Sequence, residues 1–358
     1  MIRRSALTAL GTPVLALLIA TPAAGSMAAT GSGPAITRVD QVSNHHGVAL
    51  RTDRKLVNAW GLARSPSGPL WVANNGTSTA TIYRGGVGGA PVTKVPRTVR
   101  IAGGAPTGQV FNDTHGFTLR TTSGRVPATF IFASESGDLT AWAAKAPGAA
   151  AVVKAHVRGA VFKGLALWHS GRGNLLLATD FANGRIRAFD SHFHQVRLPA
   201  AVLRDPRLPR GYAPFNVMTR GGTVYVAYAK QVPGSEDEAH GHGLGFVDRF
   251  TNSGRTVERI ASHGPLNAPW GLATAPRAWG HLAGDLLVGN FGSGRIDVYR
   301  HGHFVGPLRN AAHHPITIDG LWALQRGTAG TGGVGSVWFS SGPNDEKDGL
   351  VGQLLPRS

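Results

Sequence analysis

HGPLNAPWGLA, residues 263–273, has a near-copy, VNAWGLA, at residues 57–63, about two hundred positions earlier. Aligning the chain with itself extends the match to a unit that recurs six times. Each unit opens on a short strand with a Gly or Asn marker: NAWGLA at 58, PTGQVF at 106, FKGLAL at 162, PFNVMT at 214, APWGLA at 268 and IDGLWAL at 318. The markers Gly61, Gly108, Gly164, Asn216, Gly271 and Gly320 are spaced 47, 56, 52, 55 and 49 residues apart.

A second strand follows each marker: LWVANN at 70, FIFASE at 130, LLLATD at 175, VYVAYAK at 224, DLLVGN at 285 and SVWFSS at 336. Third strands end on Tyr83, Trp142, Phe189, Phe250 and Tyr299, with Thr81, Thr140, Arg187, Asp248 and Asp297 two positions earlier. That two-residue alternation belongs to half-buried strands. Variable stretches after the third strands leave room for a fourth.

Units of about fifty residues with four strands each predict an all-β chain, a six-bladed β-propeller built from four-stranded antiparallel blades. One small sheet cannot bury both faces, whereas radial packing buries them and leaves only short edges. Marker glycines fit innermost strands, where blades crowd closest. The segment 36–50 precedes the first unit and is expected to close the ring against the last blade.

Composition agrees with this reading. The chain has 358 residues, 50 Gly, 22 Pro, 42% hydrophobic and 15% charged residues, a folded profile rich in turns. It has no cysteine, which excludes disulfides, thiolate nucleophiles and thiolate zinc sites. Residues 1–29 read as an export signal: Arg3 and Arg4, a mostly apolar run to Ala20, then Ser26-Met27-Ala28 as a cleavage region. Gly11-Thr12-Pro13 interrupts the apolar run, so it is a poor membrane span. Residues 30–358 are expected to form one secreted, monomeric domain. Formal charge is +17, and +15 without the leader. The arginines are scattered singly through turns, so the charge alone does not point to a nucleic-acid partner.

The pattern Pro-x-Gly-Leu-Ala, Leu-x-Val-Ala-Asn/Asp and Asn-Gly-Arg-Ile-x-x-Phe resembles the repeat of NHL-type propellers, best in units 1, 3 and 5. Stretches 58–77, 211–217, 261–273, 285–296, 318–322 and 342–350 also resemble a family of secreted bacterial propellers of uncharacterised function. These resemblances imply fold and export, and bring no activity.

In such a fold, first-strand starts and second-strand ends meet at one mouth of the central funnel. The expected ligand-binding residues are therefore Asn58, Trp60, Asn74, Glu135, Lys163, Asp180, Asn216, Lys230, Asn267, Trp270, Asn290 and Asp319, with Thr107 and Ser341 beside them. Hydrogen bonding among these groups is one reading. A second is an oxygen-ligand site for calcium or another divalent cation, built from Glu135, Asp180, Asn290 and Asp319. Such sites occur in gluconolactonase-like propellers. A third is a metal-free pocket, with Lys163 and Lys230 facing acids or an anion, and Trp60 and Trp270 offering aromatic faces. Loop 234–243, GSEDEAHGHG, reads as a solvated tip without zinc spacing. Loop 343–349, PNDEKDG, has calcium-loop composition without the ligand spacing, and its role is open. Serine-hydrolase elbows, zinc-protease and phosphate-loop motifs are missing. The leading expectation is a module that binds a small molecule or an extracellular polymer at the funnel. The alternative is a metal-assisted hydrolase, lactonase or lyase.

Overall fold

The computed structural model describes residues 34–357 except Pro147, Ala149, Arg172 and Thr256. The expected leader, 1–29, lies outside the described residues. Among those described, helix is confined to short 3-10 turns at Asn75–Thr77, Val87–Gly89 and Arg277–Leu282, and the rest is strand and loop. None of these helices is long and apolar enough to cross a membrane.

The repeat resolves into antiparallel sheets. Unit 3 orders Phe162–Ser170, Gly173–Asp180, Arg185–Phe189 and Gln195–Val196 from inside outward. Unit 4 does the same with Tyr212–Arg220, Thr223–Lys230, Gly245–Phe250 and Val257–Ser262. Unit 5 uses Pro269–Thr274, Leu286–Asn290, Ile296–Arg300 and His303–Pro307. Units 1 and 2 fuse into one sheet, because outer strand Val99–Ile101 pairs in parallel with Ala150–His156. Unit 6 has Leu321–Arg326, Val337–Ser341 and Leu350–Pro356, and takes its fourth strand from the beginning of the described chain. Ile36–Ser43 lies antiparallel to Leu350–Pro356, with Ile36 opposite Pro356 and Ser43 opposite Leu350. This pairing covers an edge that would otherwise be exposed.

Inner strands Ala59–Ala63, Pro106–Phe111, Phe162–Ser170, Tyr212–Arg220, Pro269–Thr274 and Leu321–Arg326 each touch the next, and the last touches the first. The marker residues explain that closeness. A Cβ on Gly61 would lie 2.3 Å from the Thr107 carbonyl oxygen, and one on Gly108 would lie 2.4 Å from the Leu165 nitrogen. Only glycine admits backbone at that distance. Two markers depart from this: Gly320 precedes its strand and abuts Gly342 of its own unit, and Asn216 donates its Nδ2 to the Trp270 carbonyl of the next inner strand at 2.7 Å. Other side chains bridge the same seams: Gln109 Nε2 donates to Gly61 O at 2.6 Å and Thr107 Oγ1 to Phe162 O at 2.7 Å. Such bonds satisfy inner-strand carbonyls that have no ladder partner on the axial side. Apolar clusters fill the wedges between sheets, and a further one, containing Trp60, Trp270, Trp322, Phe215 and Phe291, fills the centre.

Candidate functional site

The amino ends of the inner strands converge on one polar mouth. Lys163, second residue of its strand, keeps its side chain 3% exposed and places Nζ 2.6 Å from Glu135 Oε1. Glu135 follows the second strand of unit 2, and its Oε2 accepts from Asn75 Nδ2 at 2.9 Å. Asn58, buried with a left-handed φ of 44°, precedes the first inner strand. Its Nδ2 donates to Glu346 Oε2, and its Oδ1 accepts from Trp322 Nε1 at 2.9 Å.

Glu346 arrives on the 342–349 loop, where Asn344, Asp345 and Glu346 are successive left-handed residues with φ of 57°, 51° and 63°. Each such residue costs about 1–2 kcal/mol, so the surroundings must impose the conformation. They do so at both ends of the loop. Asp319 Oδ2 accepts from the Asn344 nitrogen at 3.1 Å, and the Asn58 nitrogen donates to Asp348 O at 2.9 Å. Asp348 is held below the ordinary carboxylate range by Asn44 first, against a burial cost, with His45 and Asn344 adding to the effect.

Glu238, buried, comes from the 234–243 loop, with His240 Nε2 at 3.5 Å from its Oε1. Asn267 Oδ1 ties that loop down by accepting from the Gly241 nitrogen at 2.8 Å. Burial pulls the Lys163 ammonium down, but the charges of Glu135 and Glu238, the hydrogen bond to Glu135 and the charge of Glu346 together raise it. Burial, then the charge of Glu238, pushes the Glu346 carboxyl up to about 7 against the Asn58 hydrogen bond and Lys163, with Glu135 raising it further. His240 is raised, chiefly by its hydrogen bond to Glu238.

Beneath the polar layer lies an aromatic plug. Trp322 stacks on Trp60 at 3.6 Å and on Phe291 at 3.8 Å, with Trp270 edge-on to Trp60 at 6.4 Å. Lys163 Nζ sits 5.1 Å from the Trp60 ring centre, so its charge is met by carboxylates above and a ring face below.

Of the residues expected at the funnel, Asn58, Trp60, Glu135 and Lys163 come together there, and Trp270 belongs to the plug. The others have local duties. Asn74 Nδ2 donates to the hydroxyls of Thr79 and Thr81, both at 3.1 Å. Asn216 and Asn267 hold the neighbouring strand and loop described above. Lys230 turns to the Arg210 carbonyl and lies 5.0 Å from the Tyr212 ring centre.

The proposed divalent-cation ligands are not assembled. Asp180 accepts from Arg187 Nε at 2.8 Å and from Asn183, both in its own unit. Asn290 Nδ2 donates to Asp297 Oδ2 at 2.8 Å, and its Oδ1 caps the Asn267 nitrogen. Asp319 is exposed and holds the 342–349 loop, which leaves Glu135 alone at the mouth. Among the described residues no group of three or more His, Asp or Glu is arranged to hold a metal ion. Second-strand ends turn their carboxylates and amides into their own sheets because third-strand partners stand there, and the alternation pattern does not reveal that choice.

Glu238, Glu346, Asn75, Trp322 and Phe291 were missed as site residues. Loop 234–243 is not wholly a solvated tip, since Glu238 packs inward. The two acidic loops carried the available signal, and only the closing of unit 6 on unit 1 brings Glu346 to Asn58.

No protein-family model matches the chain. Two proteins of Acanthamoeba polyphaga mimivirus are similar along most of its length. "Uncharacterized protein R648" is 33% identical over 324 residues, 87% of this chain and 78% of that protein. "Uncharacterized protein L690" is 30% identical over 330 residues, 88% of this chain and 84% of that protein. Among solved structures, the α-L-arabinofuranosidase arb93a of Fusarium graminearum superposes with a TM-score of 0.50 at 9% identity, covering 91% of this chain and 98% of that one. A streptogramin B lyase reaches 0.49 at 10% identity, with the same coverage. At such identities the likeness is one of fold, and that fold is β-propeller-like.

Proposed function

The chain belongs to the family of these mimivirus proteins, and on that footing we propose that it is an exported, monomeric, six-bladed β-propeller with NHL-like repeats that binds a small molecule at its polar mouth. The closed cycle of inner-strand contacts supports six blades, and the Arg3-Arg4 leader supports export.

The binding reading is carried by one observation: Asn58, Glu135, Lys163, Glu238 and Glu346, drawn from five units, face one another over a buried aromatic plug. Buried charge of this kind is costly, and a ring of packed sheets has no structural need of it at the axis. Three carboxylates around one ammonium leave acceptor capacity to spare. The fitting ligand is therefore rich in donors, an amine or a polyol, free or presented by an extracellular polymer. The aromatic rings lie beneath the polar layer, so recognition is by hydrogen bond and charge. The test is thermal shift and calorimetry with a panel of amino sugars, polyols and polyamines, repeated on Glu135→Gln. A binder that weakens tenfold or more in the variant supports the reading, whereas a panel without binders, or equal affinity in both proteins, refutes it.

Glu346 favours a second reading. A carboxyl up to about 7 suits general acid–base work near neutrality. A metal-free lyase or hydrolase would use it to move a proton, with Lys163 steadying developing negative charge. Turnover of a lactone or ester with a pH profile that breaks near 7, and loses that break in Glu346→Gln, would favour catalysis over binding alone.

A further inference from the structure

The same inner strands that begin at the polar mouth end around a second opening. From Lys163 to His169 the strand covers about 20 Å at about 3.3 Å per residue, so the two openings are separate sites with the aromatic plug between them. The carboxyl ends of the inner strands enclose a cavity of about 680 Å³, within the range of small-molecule sites. Its wall is about half polar, and the charged groups on it are dominated by one sign.

Arg64 and Arg220 line this cavity, and Arg326 adjoins it, with Arg64 Nε donating to the Arg326 carbonyl at 2.6 Å. Among the described residues none of these three guanidinium groups has an acidic partner. The lining acid, Asp113, is paired with His169 at 3.1 Å. Burial and then the neighbouring Arg326 lower Arg64, and burial and then Arg220 lower Arg326, so like charges are held together without compensation. Thr219, Asn252 and Gln325 add hydroxyl and amide groups to its lining.

We propose that this second mouth binds a small polyhydroxylated anion, its carboxylate or phosphate held at the arginine rim and its hydroxyls meeting Thr219, Asn252 and Gln325. An anion relieves the mutual repulsion of the arginines. Side-chain hydroxyls and amides both donate and accept, so they complement the hydroxyls of such a ligand. The inference is independent of the proposal for the first mouth.

Isothermal titration of the full chain with gluconate and with glucose 6-phosphate tests it, with glucose as the neutral control. Binding by either anion and not by glucose is expected, and the preferred one identifies the head group as carboxylate or phosphate. Arg220→Ala, whose side chain is exposed, and Arg326→Ala are each expected to weaken binding tenfold or more. Arg249→Ala removes the same charge from an exposed pair with Glu258 on an outer sheet surface and is expected to leave the affinity unchanged. The proposal is overturned if neither anion binds at millimolar concentration, if glucose binds as well as gluconate, or if Arg220→Ala and Arg249→Ala behave alike.

Discussion

Asn58 and Glu346 share a hydrogen bond although 288 positions separate them. One residue opens the first unit and the other lies on a loop of the last, so the bond lies across the seam where the repeat returns to its start. The aromatic plug crosses the same seam, with Trp322 of unit 6 stacked on Trp60 of unit 1. The polar mouth is therefore a product of closure.

Glu346 should make stability depend on pH. Its folded pKa is raised from 4.5 to about 7. A raised folded value means that the contribution is fully present below about 4.5 and is lost as pH rises through 7. Glu346→Gln should match the parent near pH 4 and exceed it in melting temperature at pH 8. Asp248 and Asp297, each raised to about 6, act in the same direction between about 3.8 and 6 in both proteins and cancel in the comparison. Equal melting curves at pH 8 would contradict the burial argument.

Removing the buried ammonium should cost more than removing the pair. Lys163→Met leaves Glu135, Glu238 and Glu346 without their shared cation, and urea unfolding should show a loss of about 2–4 kcal/mol. Adding Glu135→Gln to that variant should recover part of the loss, a coupling that a double-mutant cycle measures.

Close approach of the inner strands predicts a sharp contrast between glycines. Gly61→Ala places a methyl group 2.3 Å from the Thr107 carbonyl oxygen and should destabilise by about 2 kcal/mol or more. Gly171→Ala meets open space and should stay within about 0.5 kcal/mol of the parent. Chemical denaturation of both variants checks the pair.

Deleting residues 34–43 should uncover the Leu350–Pro356 edge. The truncated chain is expected to self-associate or aggregate where the parent does not, because an exposed strand edge is a template for pairing. Light scattering after size-exclusion chromatography reads this directly. A well-behaved truncated protein would mean that the closing strand is dispensable.

The repeat was legible because propeller packing imposes the same local demands in every unit. Gly61, Gly108, Gly164 and Gly271 all abut backbone of a neighbouring strand, and alternation on the third strands follows from a sheet with two unlike faces. The closing role of segment 36–50 was legible too, since a strand without a unit of its own needs a partner. Site chemistry was only half legible. Lys163 and Glu135 were named from their places at strand ends. Asp180 and Asn290 occupy equivalent places and turn to Arg187 and Asp297 within their own sheets. Position along a strand sets which end of the axis a residue is near, whereas side-chain direction depends on the partner that the third strand supplies.

By itself the amino-acid sequence determined an all-β chain of recurring four-stranded sheets, the places of the tight approaches, and an N-terminal strand free to close the last unit. Tertiary structure alone decided that Glu238 and Glu346, on acidic loops of units 4 and 6, would join Lys163 and Asn58, while Asp180, Asn290 and Asp319 would not. The reason is physical. Backbone spacing and burial patterns are local properties repeated along the chain, but a cluster of charges forms from the meeting of loops whose paths are set only when every sheet has packed against its neighbours.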